Sequence, residues 1–112
     1  MKSYTDLEQS KKLAEFLPTD SADMQWFLEE DYGIVQIKEE LQDWGGDCTI
    51  PCWTLAALLD IISEGQVNRM TSNGKWMAVS WHPEHYYIAK DYDSAVDACY
   101  ALILKLHKQN IL

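Results

Sequence analysis

Two cysteines and two histidines are the residues of this chain whose types and spacing come closest to a metal site. They form the patterns Cys48-x3-Cys52 and His82-x2-His85. Two thiolates and two imidazoles are a ligand set for tetrahedral zinc, and we expect the histidines at the two ends of a turn whose outer Cα atoms approach within about 7 Å. The 29 residues between Cys52 and His82 do not match the short spacing of zinc fingers. We therefore favour the alternative, in which Cys52 packs in the core and the histidines lie on an exposed turn.

Cys52 is also a candidate nucleophile, because we expect it in the first turn of a helix and a helix N-terminus lowers the pKa of a thiol. A cysteine nucleophile needs a base that a third group holds in place, and nothing in the sequence brings His82 or His85 to that position. The chain has no phosphate-binding glycine loop and none of the common hydrolase or metalloprotease motifs. We therefore predict that the protein is not an enzyme, with no catalytic residue and no cofactor.

Aromatic residues crowd the segment that we predict to be a three-stranded sheet. Neighbours along a strand point to opposite faces, so these rings cannot all lie beneath the helices. An exposed row of them could stack on a sugar or a base, or bury against a protein. The alternative is a thick core with a few half-exposed rings. The candidates for an interaction surface are Trp76, Trp81, Tyr86, Tyr87 and Tyr92.

The net charge of −9 is unevenly distributed along the chain. Residues 1–47 hold 12 acidic and 4 basic side chains, whereas residues 48–112 hold 6 and 5. This argues against binding to nucleic acid or to anionic membranes, since both are bound by clustered lysine and arginine. It permits a basic protein partner. It also supports an alternative function, in which the acidic surface imitates DNA and acts as a decoy for a nucleic-acid-binding host protein.

The elements that must position these residues can be predicted from the periodicity of the apolar side chains. A Thr5–Glu8 capping box opens the first helix and Pro18 stops it. The next segment fits either a short helix or a strand, because periodicity cannot separate the two over so short a run. In order, we predict a helix over residues 5–17, the ambiguous segment over residues 18–33, a strand over residues 34–37 and a loop over residues 39–49.

The longest apolar run, residues 50–62, predicts a buried central helix. Pro51 suits its first turn, where the missing N–H costs nothing, and Gly65 is the expected residue just past its end. Because the helix should form the core, we expect Leu59→Ala to cost about 2–5 kcal/mol. Its principal apolar stripe is Cys52, Leu55, Ala56, Leu59 and Ile62.

A β-meander and a final helix follow. Asn73-Gly74 is a strong hairpin signal, and Pro83-Glu84 fits the centre of a second turn. Asp93 or Ser94 is expected to cap the last helix, and Asn110 to end it. The predicted strands are residues 66–71, 75–82 and 85–90. The apolar stripe of the last helix is Ala95, Cys99, Leu102, Ile103 and Leu106.

Together these elements predict an α+β fold, with about three helices packed on a small three-stranded antiparallel β-meander. The length fits a single domain over residues 1–112. No run reaches the length of a transmembrane helix, and the first residues lack the apolar region of a secretory signal. We therefore expect a cytoplasmic protein whose three cysteines are reduced.

Three stretches together resemble a known group of proteins. They are YTDLEQSKKLAEFL (residues 4–17), IPCWTLAALL (residues 50–59) and SAVDACYALILKLHKQNIL (residues 94–112). They are similar to a family of small uncharacterised proteins of gut bacteria that is associated with phages, prophages and other mobile elements. The resemblance implies a context of accessory genes, and it brings no activity, substrate or catalytic residue to transfer. We expect an accessory protein that binds an unknown protein partner or a second copy of itself.

Overall fold

The computed structural model describes residues 2–29, 32–37, 49–62, 64–81 and 86–112, and for residues 27–29 and 32–37 it describes the backbone. These residues form an α+β fold of three α-helices, six β-strands and one short 3-10 turn. In chain order the elements are α1 (Leu7–Ala14), the 3-10 turn (Thr19–Ser21), β1 (Met24–Glu29), β2 (Tyr32–Ile37), β3 (Thr49–Cys52), α2 (Leu55–Ile61), β4 (Gly65–Arg69), β5 (Trp76–Trp81), β6 (Tyr86–Tyr92) and α3 (Ala95–Lys108).

Helix α1 is capped at its N-terminus by Asp6 and not by Thr5. The Asp6 carboxylate accepts the backbone N–H of Gln9 at 2.8 Å, and the Gln9 side-chain oxygen accepts the backbone N–H of Asp6 at 3.1 Å. This reciprocal pair is a capping box, so the predicted Thr5–Glu8 box is wrong by one residue. Thr5 cannot serve as the cap because its side chain is fully buried against the backbone of Trp53.

The first sheet is antiparallel, with the strands in the order β2-β1-β3. The segment over residues 18–33, which fitted either a helix or a strand, contains β1 and is therefore mainly a strand. β1 pairs with β2 on one side and with β3 on the other, so that Trp26 lies opposite both Val35 and Ile50. The strand predicted at residues 34–37 is confirmed as part of β2. The single-meander prediction lacked this sheet, because β1 and β3 are far apart in the sequence and local patterns do not report such pairing.

Helix α2 begins at Leu55, later than predicted, because the residues before it belong to a strand. Thr49–Cys52 forms an edge of the first sheet. Pro51 is tolerated there, since an edge strand leaves one side of its backbone unpaired. The N-cap is Thr54, whose hydroxyl accepts the backbone N–H of Ala57 at 3.3 Å. The prediction that Pro51 occupies the first helical turn is therefore wrong, and most of the predicted loop at residues 39–49 lies outside the described residues.

Helix α2 buries one side and not its whole circumference. Ala57 and Leu58 are buried, Leu59 is half-buried and Ala56 is exposed. Of the predicted stripe, Cys52 and Ile62 are buried and Leu55 and Leu59 are half-buried against the core, whereas Ala56 is wrong because it is exposed. Cys52 belongs to a strand, so the helical period counted from it does not centre on the most buried residues of the helix, Ala57 and Leu58.

Gly65 opens β4 and is not the residue just past α2. The helix is capped by Ile62, and Glu64 takes the left-handed conformation with φ 52°. A glycine is nevertheless needed at position 65, because a Cβ atom there would lie 2.6 Å from Cγ2 of Ile62. Carbon atoms that are not bonded pack at about 3.5–4.0 Å, so the close approach of β4 to the end of α2 excludes any larger residue.

The second sheet is the predicted meander, with the strands in the order β4-β5-β6 and both pairs antiparallel. The hairpin at Asn73-Gly74 is confirmed. Met70 N–H donates to Lys75 O at 2.7 Å, Gly74 N–H donates to Met70 O at 2.8 Å, and Gly74 takes φ 72°. The last strand continues to Tyr92, two residues further than predicted. The turn predicted at Pro83-Glu84 lies outside the described residues.

Helix α3 begins at the predicted cap Ser94, whose hydroxyl accepts the N–H three residues later at 3.0 Å. Asn110 lies just past the C-cap with φ 60°, and its N–H donates to His107 O at 3.0 Å. The N–H of Ile111 donates to Leu106 O at 2.9 Å. These two bonds form a Schellman motif, which turns the last residues back onto the helix.

Helix α3 supplies most of the hydrophobic core. It packs on the second sheet and on α2, whereas α1 packs against β3. Its predicted apolar stripe is confirmed, since all five residues are buried: Ala95, Cys99, Leu102, Ile103 and Leu106. One cluster of buried side chains runs from Leu13 of α1 through Trp53 and Leu58 to Leu102 of α3. Among the described residues, no helix is both long and apolar enough to cross a membrane.

Candidate interaction surface

Strand β5 sends alternate side chains to the two faces of the second sheet. Trp76, Ala78 and Ser80 lie on the inner face, which packs against α3, and Ala78 is fully buried there. The residues between them point the other way and define what we call the outer face. Cross-strand pairing extends it to both neighbouring strands, because residues directly opposite each other share a face. The outer face is Gln66, Asn68, Met77, Val79, Trp81, Tyr86 and Ile88.

The outer face has an apolar centre and a polar rim. Val79 lies at its middle, opposite Gln66 on one side and Ile88 on the other. Val79 is buried and Ile88 half-buried, whereas Gln66 and Asn68 are exposed. An antiparallel sheet commonly keeps one face polar toward water, so an apolar strip on the face away from α3 is a feature that requires an explanation.

Trp81 and Tyr86 form the most exposed part of this strip. They lie directly opposite each other at one end of the β5–β6 pair. Their ring centroids are 4.7 Å apart at an angle of 52°, so the rings touch and support each other. Trp81 is 50% exposed and Tyr86 is 52% exposed. Two large aromatic side chains are thus held side by side, in fixed orientation, with half of their surface in water.

The five aromatic candidates fall into two groups. Trp81 and Tyr86 are exposed on the outer face, whereas Trp76, Tyr87 and Tyr92 are half-buried and pack against the core cluster. The structure therefore offers the first pair for contact with another molecule. The other three serve mainly as core, as the alternative interpretation of the sequence expected.

The described residues that strand pairing places on the outer face are uncharged, although the chain as a whole has a net charge of −9. Lys90 and Asp91 follow on β6, where the pairing with β5 is irregular, and both are exposed. A second lysine lies at the neighbouring sheet edge, where Lys105 of α3 donates from Nζ to Ile88 O at 3.2 Å. Edge strands with unpaired backbone groups invite pairing with another chain, and a lysine at the edge is a common protection. We conclude that a lysine protects the edge of β6, while Tyr86 stays exposed at the start of the strand.

Cys52 lies in a buried polar cluster between α1 and β3. Its Sγ donates to Thr5 O at 3.4 Å, and the Thr5 hydroxyl lies 3.6 Å from the sulfur. The hydroxyls of Thr5 and Ser10 are 2.7 Å apart, and Trp26 Nε1–H donates to Thr5 O and to the Ser10 hydroxyl, both at 3.2 Å. Thr5 also accepts the backbone N–H of Trp53 at 3.1 Å. The cluster satisfies the polar groups that α1 and β3 bury between them.

This environment disfavours Cys52 as a nucleophile. Cys52 lies in a strand before α2 and not in the first turn of the helix. The lowering of its pKa by a helix N-terminus, which the nucleophile hypothesis required, therefore does not apply. Burial raises the pKa of the Cys52 thiol, and hydrogen bonds with Thr5 and Ser10 offset only part of the rise. A raised pKa leaves less thiolate, which is the reactive form. Cys99 is also inert, since burial raises the pKa of its thiol to about 12.

The zinc hypothesis stays a prediction. Cys48, His82 and His85 lie outside the described residues, and Cys52 alone of the set is described. Its sulfur faces hydroxyl and backbone groups, and it is fully buried. Within the described part of the chain, no group of three or more histidine, cysteine, aspartate or glutamate side chains is placed to hold a metal ion.

Several carboxylates serve the fold itself. Asp23 accepts the backbone N–H of Thr54 at 2.9 Å, and its second oxygen accepts the Thr54 hydroxyl. Asp97 accepts from Lys2 and from Gln9, both at 2.8 Å. Nothing in the sequence distinguished these carboxylates from the rest of the acidic surface, because each bond joins residues that are far apart along the chain.

No family model, no curated protein and no solved structure matches the chain. The resemblance to proteins of phages and other mobile elements therefore stays a prediction. The functional argument therefore rests on the described residues, among which Trp81 and Tyr86 are large aromatic side chains that stay half exposed on the outer face of the second sheet.

Proposed function

We propose that the protein is a non-enzymatic binding protein that holds a protein partner on the outer face of its second sheet. One observation carries the proposal: Trp81 and Tyr86 touch each other yet expose about half of their surface, 50% and 52%. Tryptophan and tyrosine are over-represented among the residues that dominate binding energy at protein interfaces. Their rings lose little conformational freedom on binding, since each already supports the other.

The rest of the outer face supports this assignment. Met77, Val79 and Ile88 continue the apolar centre away from the aromatic pair, and Gln66 with Asn68 gives a polar margin. An apolar centre with a polar rim is the usual anatomy of a protein interface. A membrane or nucleic acid is a poorer partner, because both need clustered positive charge and the described residues that pairing places on this face are uncharged. We propose that the protein acts in the cytoplasm as an accessory factor.

Site-specific photo-crosslinking tests this function. A photoreactive phenylalanine analogue replaces Tyr86 on the outer face or, as the control, Lys11 on the exposed side of α1. Irradiation of cells that produce either variant is followed by mass analysis of the adducts. We expect protein adducts from position 86 that are lost when Trp81 is changed to alanine, and none of these adducts from position 11.

The same experiment can overturn the proposal. Thermal melting of each variant confirms that it is folded, since Trp81 and Tyr86 are surface residues whose replacement leaves the core intact. Equal adduct yields from positions 86 and 11, or adducts at position 86 that survive Trp81→Ala, would show that the outer face is an ordinary surface.

The unequal charge of the chain favours one alternative function, the acidic decoy. Residues 1–47 carry 12 acidic against 4 basic side chains, so this half could occupy the basic site of a nucleic-acid-binding protein. Such binding would weaken sharply as salt is raised from about 50 to about 500 mM, since screening shortens the range of charge interactions. Binding through the outer face would change little over the same range, because apolar contact does not depend on charge.

A further inference from the structure

We propose that Asn73 is a site of spontaneous deamidation and that the closed β4–β5 hairpin suppresses the reaction. Asn73 is the one asparagine of the chain that a glycine follows, whereas arginine and isoleucine follow Asn68 and Asn110. A glycine has no side chain to shield its backbone nitrogen, so this nitrogen can reach the amide of the asparagine before it. Asn73 is also exposed, so water and hydroxide reach its side chain. The pair Asn73-Gly74 therefore has the composition and the exposure that the reaction needs.

The reaction is an attack of the Gly74 backbone nitrogen on the side-chain carbon of Asn73. Hydroxide removes the proton of the Gly74 N–H, and the nitrogen forms a bond to Asn73 Cγ. The bond between Cγ and Nδ2 breaks, and the amide nitrogen takes a proton from water and leaves as ammonia. A water molecule then opens the cyclic imide at either of its carbonyl groups, which leaves aspartate or isoaspartate at position 73.

The folded hairpin directs the Gly74 nitrogen away from this target. The Gly74 N–H donates to Met70 O at 2.8 Å across the turn. When the proton is removed, the electron pair that remains lies in the peptide plane along the former N–H direction, so it points at Met70 O and not at Asn73 Cγ. The peptide group must turn before it can attack, but the Met70 N–H, which donates to Lys75 O at 2.7 Å, holds the same turn closed. The attack therefore requires the hairpin to open.

The side-chain amide of Asn73 is held at both of its polar atoms. Its Oδ1 accepts the backbone N–H of Lys75 at 2.9 Å, and its Nδ2 donates to Asp91 Oδ1 of β6 at 3.3 Å. Asp91 takes the left-handed conformation with φ 72° in the stretch where β6 pairs irregularly with β5. Because Nδ2 is the group that leaves, the reaction breaks the bond to Asp91. This bond therefore stabilises the asparagine and not the products.

The products would weaken the turn that delays their formation. An aspartate at position 73 places a carboxylate where Asn73 Nδ2 now lies 3.3 Å from Asp91 Oδ1, so that two like charges face each other. Isoaspartate in addition lengthens the backbone of the turn, because the chain then runs through the side-chain carbon. A chain that has reacted therefore opens its β4–β5 hairpin more readily than before.

Peptide mapping by mass spectrometry tests the proposal on the purified chain, which is kept at mildly alkaline pH either folded or denatured in guanidinium. We expect Asn73 to be the first asparagine to react in the denatured chain. In the folded chain its deamidation should be at least about ten-fold slower, because the hydrogen bonds of the turn must break first. Equal rates in the two states would overturn the suppression by the hairpin. Faster reaction at Asn68 or Asn110 would overturn Asn73 as the site.

A pair of variants at position 91 tests the hold on the leaving group. Asp91→Gly removes the acceptor of Asn73 Nδ2 and suits the left-handed backbone. It should speed deamidation of the folded chain about two- to ten-fold, the factor that corresponds to one ordinary hydrogen bond. Asp91→Asn keeps a side-chain oxygen as acceptor and should change the rate by less than about two-fold. Equal acceleration by the two variants, or none by Asp91→Gly, would overturn this hydrogen bond as part of the protection.

A second pair of variants tests the effect of the product on the fold. Asn73→Asp reproduces one product and should lower the melting temperature by about 2–5 °C, with a smaller loss at high salt because screening weakens the repulsion from Asp91. Asn68→Asp makes the same chemical change at an exposed position of β4 and should lower the melting temperature by less than about 1 °C. Equal shifts for the two variants would overturn the repulsion between positions 73 and 91.

Discussion

A single buried hydroxyl, that of Thr5, joins the first helix to the first sheet. It accepts the backbone N–H of Trp53 at 3.1 Å and shares a hydrogen bond of 2.7 Å with the hydroxyl of Ser10. Thr5 and Ser10 are both fully buried. If a buried backbone N–H loses its acceptor, the free energy lost when that group left water is no longer offset by a hydrogen bond. The Thr5 hydroxyl therefore contributes more to the free energy of unfolding than an average hydrogen bond does.

We expect Thr5→Val to lower the free energy of unfolding by about 1–3 kcal/mol, because valine keeps the shape of threonine and leaves the Trp53 N–H without its acceptor. Thr71→Val is the matched control, since Thr71 is exposed in the β4–β5 turn and should change stability by less than about 0.5 kcal/mol. Chemical denaturation followed by tryptophan fluorescence measures both. Equal stabilities of the two variants would mean that the Thr5 hydroxyl contributes nothing.

The cysteines show what residue types predict and what they leave open. The sequence indicated correctly that Cys99 lies on the buried side of the last helix, because the helical period there is long and regular. For Cys52 the core interpretation was favoured, and the residue is fully buried. Its hydrogen bonds to Thr5 could not be foreseen, since the two residues are separated by 47 positions and neither has a local signal for the other.

At the scale of elements, regular patterns were reliable and irregular ones were not. The meander and α3 follow clear strand and helix periods and have the predicted order. The start of α2 was misplaced because Pro51 suits a first helical turn and an edge strand equally well. What decides between them is the pairing of Thr49–Cys52 with β1, a contact between distant segments that overrides local propensity.

In the structure the most buried leucine of α2 is Leu58, and not Leu59 as the sequence predicted. Leu58 is 0% exposed, whereas Leu59 is half-buried. We expect Leu58→Ala to cost about 2–5 kcal/mol, the range for a buried leucine, and Leu59→Ala to cost clearly less than the value predicted from sequence. Thermal or chemical unfolding of the two variants side by side is the measurement. A larger loss for Leu59→Ala would mean that the helix is rotated about its axis relative to this structure.

At the scale of the whole molecule, one lysine near the N-terminus connects two helices that are distant in sequence. Lys2 Nζ lies 2.8 Å from Asp97 of α3 and 3.0 Å from Asp6 at the start of α1. Partial burial disfavours the charge on Lys2, but hydrogen bonds to Asp97 and Asp6 outweigh it and raise its pKa. Burial acts against the charge of Asp97 too, and hydrogen bonds from Lys2 and Gln9 prevail and lower its pKa.

The pH dependence of this contact can be stated with its sign. Because the pKa of Lys2 is raised, the contribution of its charge to the stability of the fold is complete below pH 10.5 and is lost as the pH rises through the raised pKa. Because the pKa of Asp97 is lowered, the contribution of its charge to the stability of the fold is complete above pH 3.8 and is lost as the pH falls through the lowered pKa. We expect Lys2→Met to reduce stability by about 0.5–1 kcal/mol between these limits and by less outside them.

Unfolding titrations at several pH values compare Lys2→Met with the unchanged chain. Lys12→Met is the control, since Lys12 pairs with Glu15 across an exposed surface of α1 and such pairs contribute little. A stability difference for Lys2→Met that does not vary from acid to alkaline pH would show that the lysine acts by packing and not by charge.

The attachment of the first residues also determines when the protein can fold during synthesis. The N-terminal segment leaves the ribosome first, yet Thr5 bonds to Trp53 and Lys2 bonds to Asp97, which is 95 residues further along the chain. The contact with Trp53 can form once β3 has been made, whereas the contact with Asp97 has to wait for α3, and contacts of such long sequence separation form slowly. Helix α1 can therefore dock on β3 during synthesis before α3 exists. The bond between Lys2 and Asp97 then closes over a part of the fold that is already in place.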